Sequence, residues 1–118
     1  MAYLLLIVEP RGQRTSRTPE EARVRYDEML AFGQDLQNHG LLQASESLRT
    51  DDHAIRVSTA EGKSLLRDGP FAEAKEMVGG FYLIDVATRE EAVAIASHCP
   101  AANWATVEVR ECAPCYVR

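Results

Sequence analysis

Long hydrophobic runs are the first feature that this sequence lacks. The run LLLIV, residues 4–8, is far shorter than the roughly 20 apolar residues that a helix needs to cross a bilayer. No basic segment precedes this run and no small-residue cleavage site follows it, so we do not expect a signal peptide. A buried strand close to the N-terminus is the better interpretation.

Basic charge and cysteine are also scarce. The chain has 13 Lys and Arg against 18 Asp and Glu, a formal net charge of −5, which argues against a general electrostatic attraction to nucleic acid or anionic lipid. Its three cysteines cannot all pair within one chain, and 118 residues are enough to build a core without disulfides. We therefore expect a single domain, residues 1–118, in the cytoplasm, with no direct contact to nucleic acid or membrane.

Capping signals mark two helices. The first begins at Thr18 and Pro19, with Glu21 three residues after the threonine. It should end at Gly40, because glycine readily adopts the left-handed conformation that follows a helix. The second helix repeats the T-x-E-E-A start at Thr88. Apolar residues recur along a single stripe of each helix, which predicts that each helix buries one side.

Strand-like segments fill the rest of the chain. We predict strands at residues 3–9, 41–48, 53–58, 63–66, 80–86 and 104–111. Residues 67–78 are predicted as a polar loop, in which Pro70 opens a short helix that Asp68 caps. The order of elements predicts a ferredoxin-like α+β fold (βαββαβ) with an extra hairpin, its antiparallel sheet covered on one face by two helices. Because the other face is also apolar, we expect a second copy of the chain to cover it in a homodimer.

The segment DGPFAEAKEMVGGFYLIDV, residues 68–86, resembles the signature of the DGPF-type, YCII-related family. The likeness extends, in order, to the YLLLIVE strand, the helix that begins TPEE, the GLLQASESL segment, the TREEAVAIASHCPAA helix and the WATVEVRE strand. It covers the chain except for the tail after Glu111. The resemblance implies a bacterial protein of the dimeric α+β barrel superfamily, in which two ferredoxin-like sheets pack face to face across a cavity.

The same resemblance leaves the activity open. Members of the family are often encoded beside extracytoplasmic-function sigma factors. More distant relatives have a His–Asp pair that suggests an active site. That pair is not visibly preserved here, because the first helix contains no histidine before His39. We therefore carry no chemistry over from it.

The DGPF loop is the main candidate site. Asp68, Glu73 and Lys75 are candidate catalytic residues, since a carboxylate near a lysine can act as a general base and an electrostatic stabiliser where both line a cavity. In the alternative interpretation, Asp68 caps a turn, the phenylalanine of the loop fills the core and the other charges are solvated. Candidate substrate-binding residues of the same cavity are His53, Arg56, Phe71, Glu76 and Tyr82.

Other chemically active side chains have structural alternatives. Arg56 would bind a carboxylate or phosphate if it faces the cavity, and on the other face of its strand it would be solvated. His39 and His98 lie at helix ends, where a structural role suffices. Cys112 and Cys115 have the C-x-x-C spacing of redox and zinc sites. A single pair lacks the other two zinc ligands, although the two tails of a dimer could supply four, and an incidental tail is the favoured interpretation.

Two classes of function remain. The first is an enzyme-like protein that binds a small organic molecule in the barrel cavity beside the DGPF loop. The second is a non-catalytic regulatory or interaction module associated with an extracytoplasmic-function sigma factor. A polar-lined cavity of ~300 Å3 or more favours the first, whereas a cavity packed shut by Phe71, Tyr82 and Trp104 favours the second. Nucleotide-binding loops, catalytic-triad patterns and zinc-peptidase motifs are missing, so we expect no cofactor and no metal.

Overall fold

A computed structural model describes residues 1–118 of the chain. The helices and strands follow in the order β1 (Ala2–Pro10), α1 (Pro19–Asn38), β2 (Leu42–Ser47), β3 (Ile55–Ala60), β4 (Lys63–Asp68), β5 (Glu76–Asp85), α2 (Arg89–Ser97) and β6 (Thr106–Glu111). Neither helix has the length and apolar character that crossing a membrane would require.

Four strands form one antiparallel sheet in the order β2-β5-β1-β6. With the two helices, this is the ferredoxin-like βαββαβ arrangement of an α+β fold, so the predicted fold class is confirmed. The extra hairpin, β3 and β4, forms a separate two-stranded sheet. Glu61 and Gly62 join its strands with φ angles of +51° and +76°, which suits the mirror-image turns that match the twist of a hairpin.

Both helices begin at the predicted threonines. The side chain of Thr18 accepts a hydrogen bond from the backbone N–H of Glu21 at 3.2 Å, and Thr88 does the same for Glu91 at 3.2 Å. Glu91 also accepts a hydrogen bond from the backbone N–H of Ala87. These bonds satisfy N–H groups that the first helical turn leaves without intrahelical partners.

The helices cover one face of the sheet only. Residues of β1 alternate between buried and half-buried positions, and the core on the helix side includes the fully buried Leu5 and Ile84. The opposite face, here called the open face, has no layer of this chain over it. Its central apolar side chains are Leu4, Leu6, Val8, Phe81 and Leu83.

The boundaries around residues 67–78 differ from the prediction. β4 continues to Asp68, β5 begins at Glu76 rather than at residue 80, and no helix forms between them. The physical reason is that the pairing of β1 with β5 shifts register between Ile7 and Val8. This irregularity lets the two strands continue to pair past Gly79 and Gly80. β3 begins at Ile55, two residues later than predicted, because residues 51–53 form a 3-10 turn.

Candidate functional site

Two cavities lie on opposite sides of the sheet. The helix–sheet cavity, about 450 Å3, lies between α1 and the sheet and is lined by Tyr26, Leu30, Ser45, Tyr82 and Trp104 among others. The loop cavity, about 660 Å3, lies beside the DGPF loop and the ends of β1 and β5. Both volumes exceed the ~300 Å3 that favours ligand binding over a filled core.

The apolar stripe of α1 is only partly packed. Gly33 and Leu36 are buried, whereas Tyr26 and Leu30 are 49% and 54% exposed. Tyr26 and Leu30 are spaced at helical intervals from Gly33 on the same side of α1, and both line the helix–sheet cavity. A wall of apolar side chains around open space is the usual character of a small-molecule pocket.

Tyr82 forms part of the floor of this cavity. Its hydroxyl donates a hydrogen bond to the backbone carbonyl of Met29 at 2.6 Å, and the ring of Phe32 packs edge-on against it. Burial raises the pKa of the Tyr82 hydroxyl above its ordinary value. Tyr82 was predicted among residues beside the DGPF loop, and the structure places it instead on the helix side of the sheet.

An ion pair between the buried Glu9 and the half-buried Arg14 lines the helix–sheet cavity, and the end of the cavity at this pair is here called its deep end. Glu9, 5% exposed, lies at the end of β1. Arg14 donates to it through Nη2 at 2.6 Å and through Nε at 3.1 Å to each carboxylate oxygen. Arg14 also donates to the carbonyls of Leu48 and Gly79 at 2.7 and 3.2 Å. The Arg14 guanidinium thus connects the end of β1, the residue after β2 and Gly79 of β5.

Arginines and an aromatic ring lie at the mouth of this cavity. The guanidinium carbons of Arg25 and Arg17 lie 4.7 and 5.8 Å from the ring centroid of Trp104. Gln13 donates to the carbonyl of Trp104 at 2.6 Å and accepts from Arg17 at 3.0 Å. The polar loop before α1 therefore forms one wall of the mouth.

Sequence reasoning missed the charged residues of this site. Glu9 was predicted only as the last residue of the first strand, and no role was predicted for Arg14, Arg17 or Arg25. The sequence does contain a signal that points to Glu9. Every second residue of β1 lies on its buried side, and this set is Tyr3, Leu5, Ile7 and Glu9. A carboxylate on the buried side of a strand needs a partner, and the basic loop that follows supplies one.

The DGPF loop is held by backbone and aromatic contacts. Phe71 is 4% exposed, and the guanidinium carbon of Arg56 lies 3.7 Å from its ring centroid. Gly69 approaches Asp51 so closely that a Cβ on the glycine would lie 1.7 Å from the Asp51 carbonyl oxygen. Packing therefore accounts for the presence of Gly69 and Phe71 in the DGPF run.

Arg11 and Asp51 form an ion pair beneath this loop. Arg11 Nη1 donates to Asp51 at 2.8 Å, and Arg11 Nε donates to the carbonyl of Ala74 at 2.7 Å. Asp51 also accepts from the backbone N–H of Phe71 at 3.4 Å. The hydrogen bonds from Arg11 lower the pKa of Asp51 below its ordinary value. Asp51 was not predicted as part of the loop, and it makes the hydrogen bond to the turn that was expected from Asp68.

The three predicted catalytic residues lie close in sequence and do not line the loop cavity. Glu73 accepts a hydrogen bond from Arg67 at 2.6 Å. Hydrogen bonds from its own backbone N–H and from Arg67 lower the pKa of Glu73. Asp68 ends β4 and lies opposite Ile55, and Lys75 contacts the loop before α1 through its carbonyl. A catalytic role for Asp68, Glu73 and Lys75 stays a prediction.

Four of the predicted substrate-binding residues come together around the loop cavity: His53, Arg56, Phe71 and Glu76. The ring nitrogen Nε2 of His53 lies 3.2 Å from Arg49 Nη2. The cavity opens onto the same side of the sheet as Val8 and Val78. It lies beside the DGPF loop, and its role as the predicted barrel cavity stays a prediction.

The remaining candidates have structural surroundings. His39 and His98 lie at the ends of α1 and α2, where each Nδ1 is 2.8 Å from a carbonyl of the last turn. Cys112 and Cys115 are exposed, whereas Cys99 is buried in the core. The fold gathers no group of three or more His, Cys, Asp and Glu side chains of the kind that holds a metal ion.

A solved structure and a sequence relative resemble this chain. The 5-chloro-2-hydroxyhydroquinone dehydrochlorinase TftG from Burkholderia phenoliruptrix AC1100, in complex with 2,5-dihydroxybenzoquinone, superposes with a TM-score of 0.55 at 15% identity. The match covers 96% of this chain and 94% of the dehydrochlorinase. At this identity, the likeness shows a common fold.

An uncharacterized protein of Rhizobium meliloti (strain 1021) is 31% identical over 106 residues, which are 90% of this chain and 86% of that protein. The sequence also matches the YCII-related domain over residues 1–115. This match includes the tail cysteines, which the resemblance inferred from sequence motifs left out. The chain belongs to the YCII-related domain family.

Proposed function

We propose that this YCII-related protein binds a small organic molecule in the helix–sheet cavity, as an enzyme does. The observation that carries the proposal is the combination of unpacked apolar side chains and a buried carboxylate in one cavity. Tyr26 and Leu30 line about 450 Å3 of open space whose deep end is Glu9. Apolar walls with few convergent polar groups are the usual design of such pockets.

Glu9 is the residue at the deep end of the cavity that can interact chemically with a ligand. Three contacts from Arg14 hold its carboxylate in place, and a carboxylate has room for more acceptor contacts than these. A ligand hydroxyl in the cavity would donate to Glu9, which then serves as a hydrogen-bond acceptor or a general base. Arg14 orients the carboxylate and offsets the free-energy cost of burying it.

The solved neighbour supports a small-molecule role. TftG is a dehydrochlorinase whose structure holds 2,5-dihydroxybenzoquinone, and its fold is shared by 96% of this chain. The likeness supports the class of function and leaves the reaction of this chain to be determined by its own residues.

The loop cavity is the second candidate site. His53 and Arg56 line it, and it fits the barrel cavity that the resemblance implies. Its charged residues are partly paired, since Asp51 accepts a hydrogen bond from Arg11 at 2.8 Å and Arg56 lies 3.7 Å from Glu73. We therefore rank it below the helix–sheet cavity. Asp68, Glu73 and Lys75 belong to the segment beside this cavity and do not line it, so their catalytic role stays a prediction.

The protein is proposed to be a homodimer that pairs the open faces of two sheets. Leu4, Leu6, Phe81 and Leu83 form an apolar centre on this face. Glu46 on β2 and the charged residues of β6 lie at its edges. An apolar centre with a polar rim is the usual anatomy of a protein interface.

A regulatory module associated with a sigma factor is the alternative function. It requires the cavities to be filled by side chains, and the open space beside Tyr26 and Leu30 counts against it. No residue of the chain favours a sigma factor over any other protein partner.

Fluorescence of Trp104 tests the proposal, because it is the only tryptophan of the chain and lines the helix–sheet cavity. We expect titration with benzoate or benzyl alcohol to change its emission saturably. Ser45→Phe should abolish the change, since the new ring would fill the cavity that Ser45 lines. Ser58→Phe on the exposed hairpin is the matched control and should bind as the wild type does. Saturable binding that survives Ser45→Phe would contradict the proposal.

A further inference from the structure

We infer that the ligand of the helix–sheet cavity carries an anionic group, which Arg17 and Arg25 bind at the mouth beside Trp104. This inference rests on the proposed function, because it assigns a chemical class to the molecule that the cavity takes. The three side chains belong to the loop before α1, to α1 itself and to the segment before β6, and all line the same cavity.

The hydrogen bonds of the three cavity arginines show which donors are free. Arg14 uses its guanidinium on Glu9 and on two backbone carbonyls, so it is committed to the fold. Arg17 donates one bond, to Gln13. Arg25 donates none, and its nearest carboxylate oxygen belongs to Glu28 at 3.5 Å, between two substantially exposed side chains. Each guanidinium has five N–H donors, so Arg17 and Arg25 keep most of theirs.

Trp104 positions the two free arginines without using those donors. The guanidinium carbon of Arg25 lies 4.7 Å from the ring centroid, and that of Arg17 lies 5.8 Å away. A cation–π contact attracts the positive charge and uses none of the N–H donors of the guanidinium. Preorganised guanidinium groups with spare N–H donors are well suited to carboxylate or phosphate oxygens.

The local charge differs in sign from that of the whole protein. The chain has a formal net charge of −5, yet three arginines and two glutamates line this cavity. Arg14 is paired with Glu9, and Glu46, which lies opposite Phe81, has its side chain on the open face. No carboxylate of the cavity lining therefore pairs with Arg17 or Arg25, and the nearest carboxylate to Arg25 is that of Glu28, 3.5 Å away outside the lining. The long-range field of the acidic chain opposes the approach of an anion. The attraction at this site must therefore come from direct contacts with the arginines.

The cavity walls indicate that the anion is attached to an organic group. Met29 and Leu30 of α1 and Ile7 of β1 line the space behind the arginines. An inorganic ion would leave these apolar surfaces in contact with water. An organic acid would place its charged end at Arg25 and its apolar body against this wall.

Isothermal titration with three probes of one shape tests the inference. Benzoate presents a carboxylate, phenyl phosphate presents a phosphate, and benzyl alcohol is the neutral counterpart. We expect at least one anion to bind about tenfold tighter than benzyl alcohol, as charge-assisted hydrogen bonds imply. The preferred anion reveals whether carboxylate or phosphate is the natural group.

Arginine variants test whether Arg17 and Arg25 cause the tighter binding of anions. Arg25→Gln and Arg17→Gln should each weaken anion binding about fivefold to tenfold and leave benzyl alcohol binding unchanged. Arg23→Gln is the matched control, since Arg23 is on the same helix, is 79% exposed and does not line the cavity. Arg25→Lys keeps the charge and loses the guanidinium fork, so its anion binding should be intermediate. Circular dichroism confirms that each variant is folded.

The possible results separate this inference from the proposed function. Equal binding of anions and benzyl alcohol, with no effect of Arg25→Gln, would overturn the anion inference and leave the small-molecule proposal standing. An equal loss in Arg23→Gln would also overturn it, because the attraction would then be general. Failure of all three probes to bind the wild type at millimolar concentration would contradict the proposed function and the inference together.

Discussion

The Cα of Gly79 lies so close to the Glu9 carboxylate that a Cβ on this glycine would be 1.8 Å from Glu9 Oε1 and 2.9 Å from Arg14 Nη2. Gly79 is thus the residue of β5 that leaves room for the Glu9–Arg14 ion pair beside the sheet. A side chain at this position would displace the carboxylate from Arg14. The deep end of the helix–sheet cavity depends on this close approach.

Gly79→Ala should lower the free energy of unfolding by about 1–3 kcal/mol, because the new methyl group overpacks the ion pair. Urea denaturation measures this change. In a Glu9→Ala background, where the carboxylate is gone, the same glycine substitution should cost less than about 1 kcal/mol. Equal costs in the two backgrounds would show that Gly79 and Glu9 are not coupled.

Two substitutions in the DGPF segment should distinguish a residue that packs in the core from a residue that is solvated. Phe71→Ala removes a side chain that is 4% exposed, and we expect a loss of about 3–5 kcal/mol in unfolding free energy. Asp68→Asn should leave the melting temperature nearly unchanged, because the Asp68 side chain makes no hydrogen bond or ion pair. It should also leave probe binding in the helix–sheet cavity unchanged. Loss of binding in Asp68→Asn with native stability would instead support the loop cavity as the site.

The Arg11–Asp51 pair makes folding stability depend on pH in the acid range. The pKa of Asp51 is lowered in the folded state, chiefly by hydrogen bonds from Arg11. Its stabilising contribution is therefore complete above the unfolded pKa of about 4 and is lost as the pH falls through the lower folded value. Wild-type stability should drop on acidification below about pH 4, and Asp51→Asn should reduce that drop.

Urea denaturation between about pH 5 and pH 3 measures this difference. Asp52 and Glu73 also have lowered pKa values, through hydrogen bonds from Thr50 and from the Glu73 backbone N–H respectively, so part of the acid dependence should remain in the variant. Asp27→Asn, on the exposed side of α1, is the control and should follow the wild type. An Asp51→Asn profile parallel to that of the wild type would exclude Asp51 as a contributor.

The open face should form the dimer contact. Leu6→Glu places a charge at the centre of this face, and we expect it to convert a dimer into a monomer of 13.1 kDa that retains its secondary structure. Sedimentation equilibrium at micromolar concentration measures the mass. Val24→Glu, at an exposed position of α1, should leave the dimer intact. A wild-type protein that sediments at 13.1 kDa would contradict the dimer proposal.

The order of elements and the one-sided sheet could be predicted because their signals are local. Thr18 and Thr88 cap helices through residues three positions away, and a single apolar stripe shows that a helix covers one layer. Pairing past the irregularity at Ile7 and Val8 depends on contacts between distant segments. The strand that begins at Glu76 was therefore predicted too short.

The same distinction explains why the main candidate site was missed. The DGPF loop attracted attention because its charged residues are adjacent in sequence, yet much of the signature is explained by packing of Gly69 and Phe71. The helix–sheet cavity is assembled from residues far apart in sequence, such as Glu9, Arg25 and Trp104. Only the folded sheet brings these three side chains around one space.

Mapping of bound benzoate by 1H–15N nuclear magnetic resonance tests the central claim most directly. We predict that the largest shift changes occur at Gly33, at Ser45 and at the indole N–H of Trp104, which line the helix–sheet cavity. Changes confined to residues of the loop cavity such as His53 and Phe71 would contradict the account and would place the ligand on the open face of the sheet.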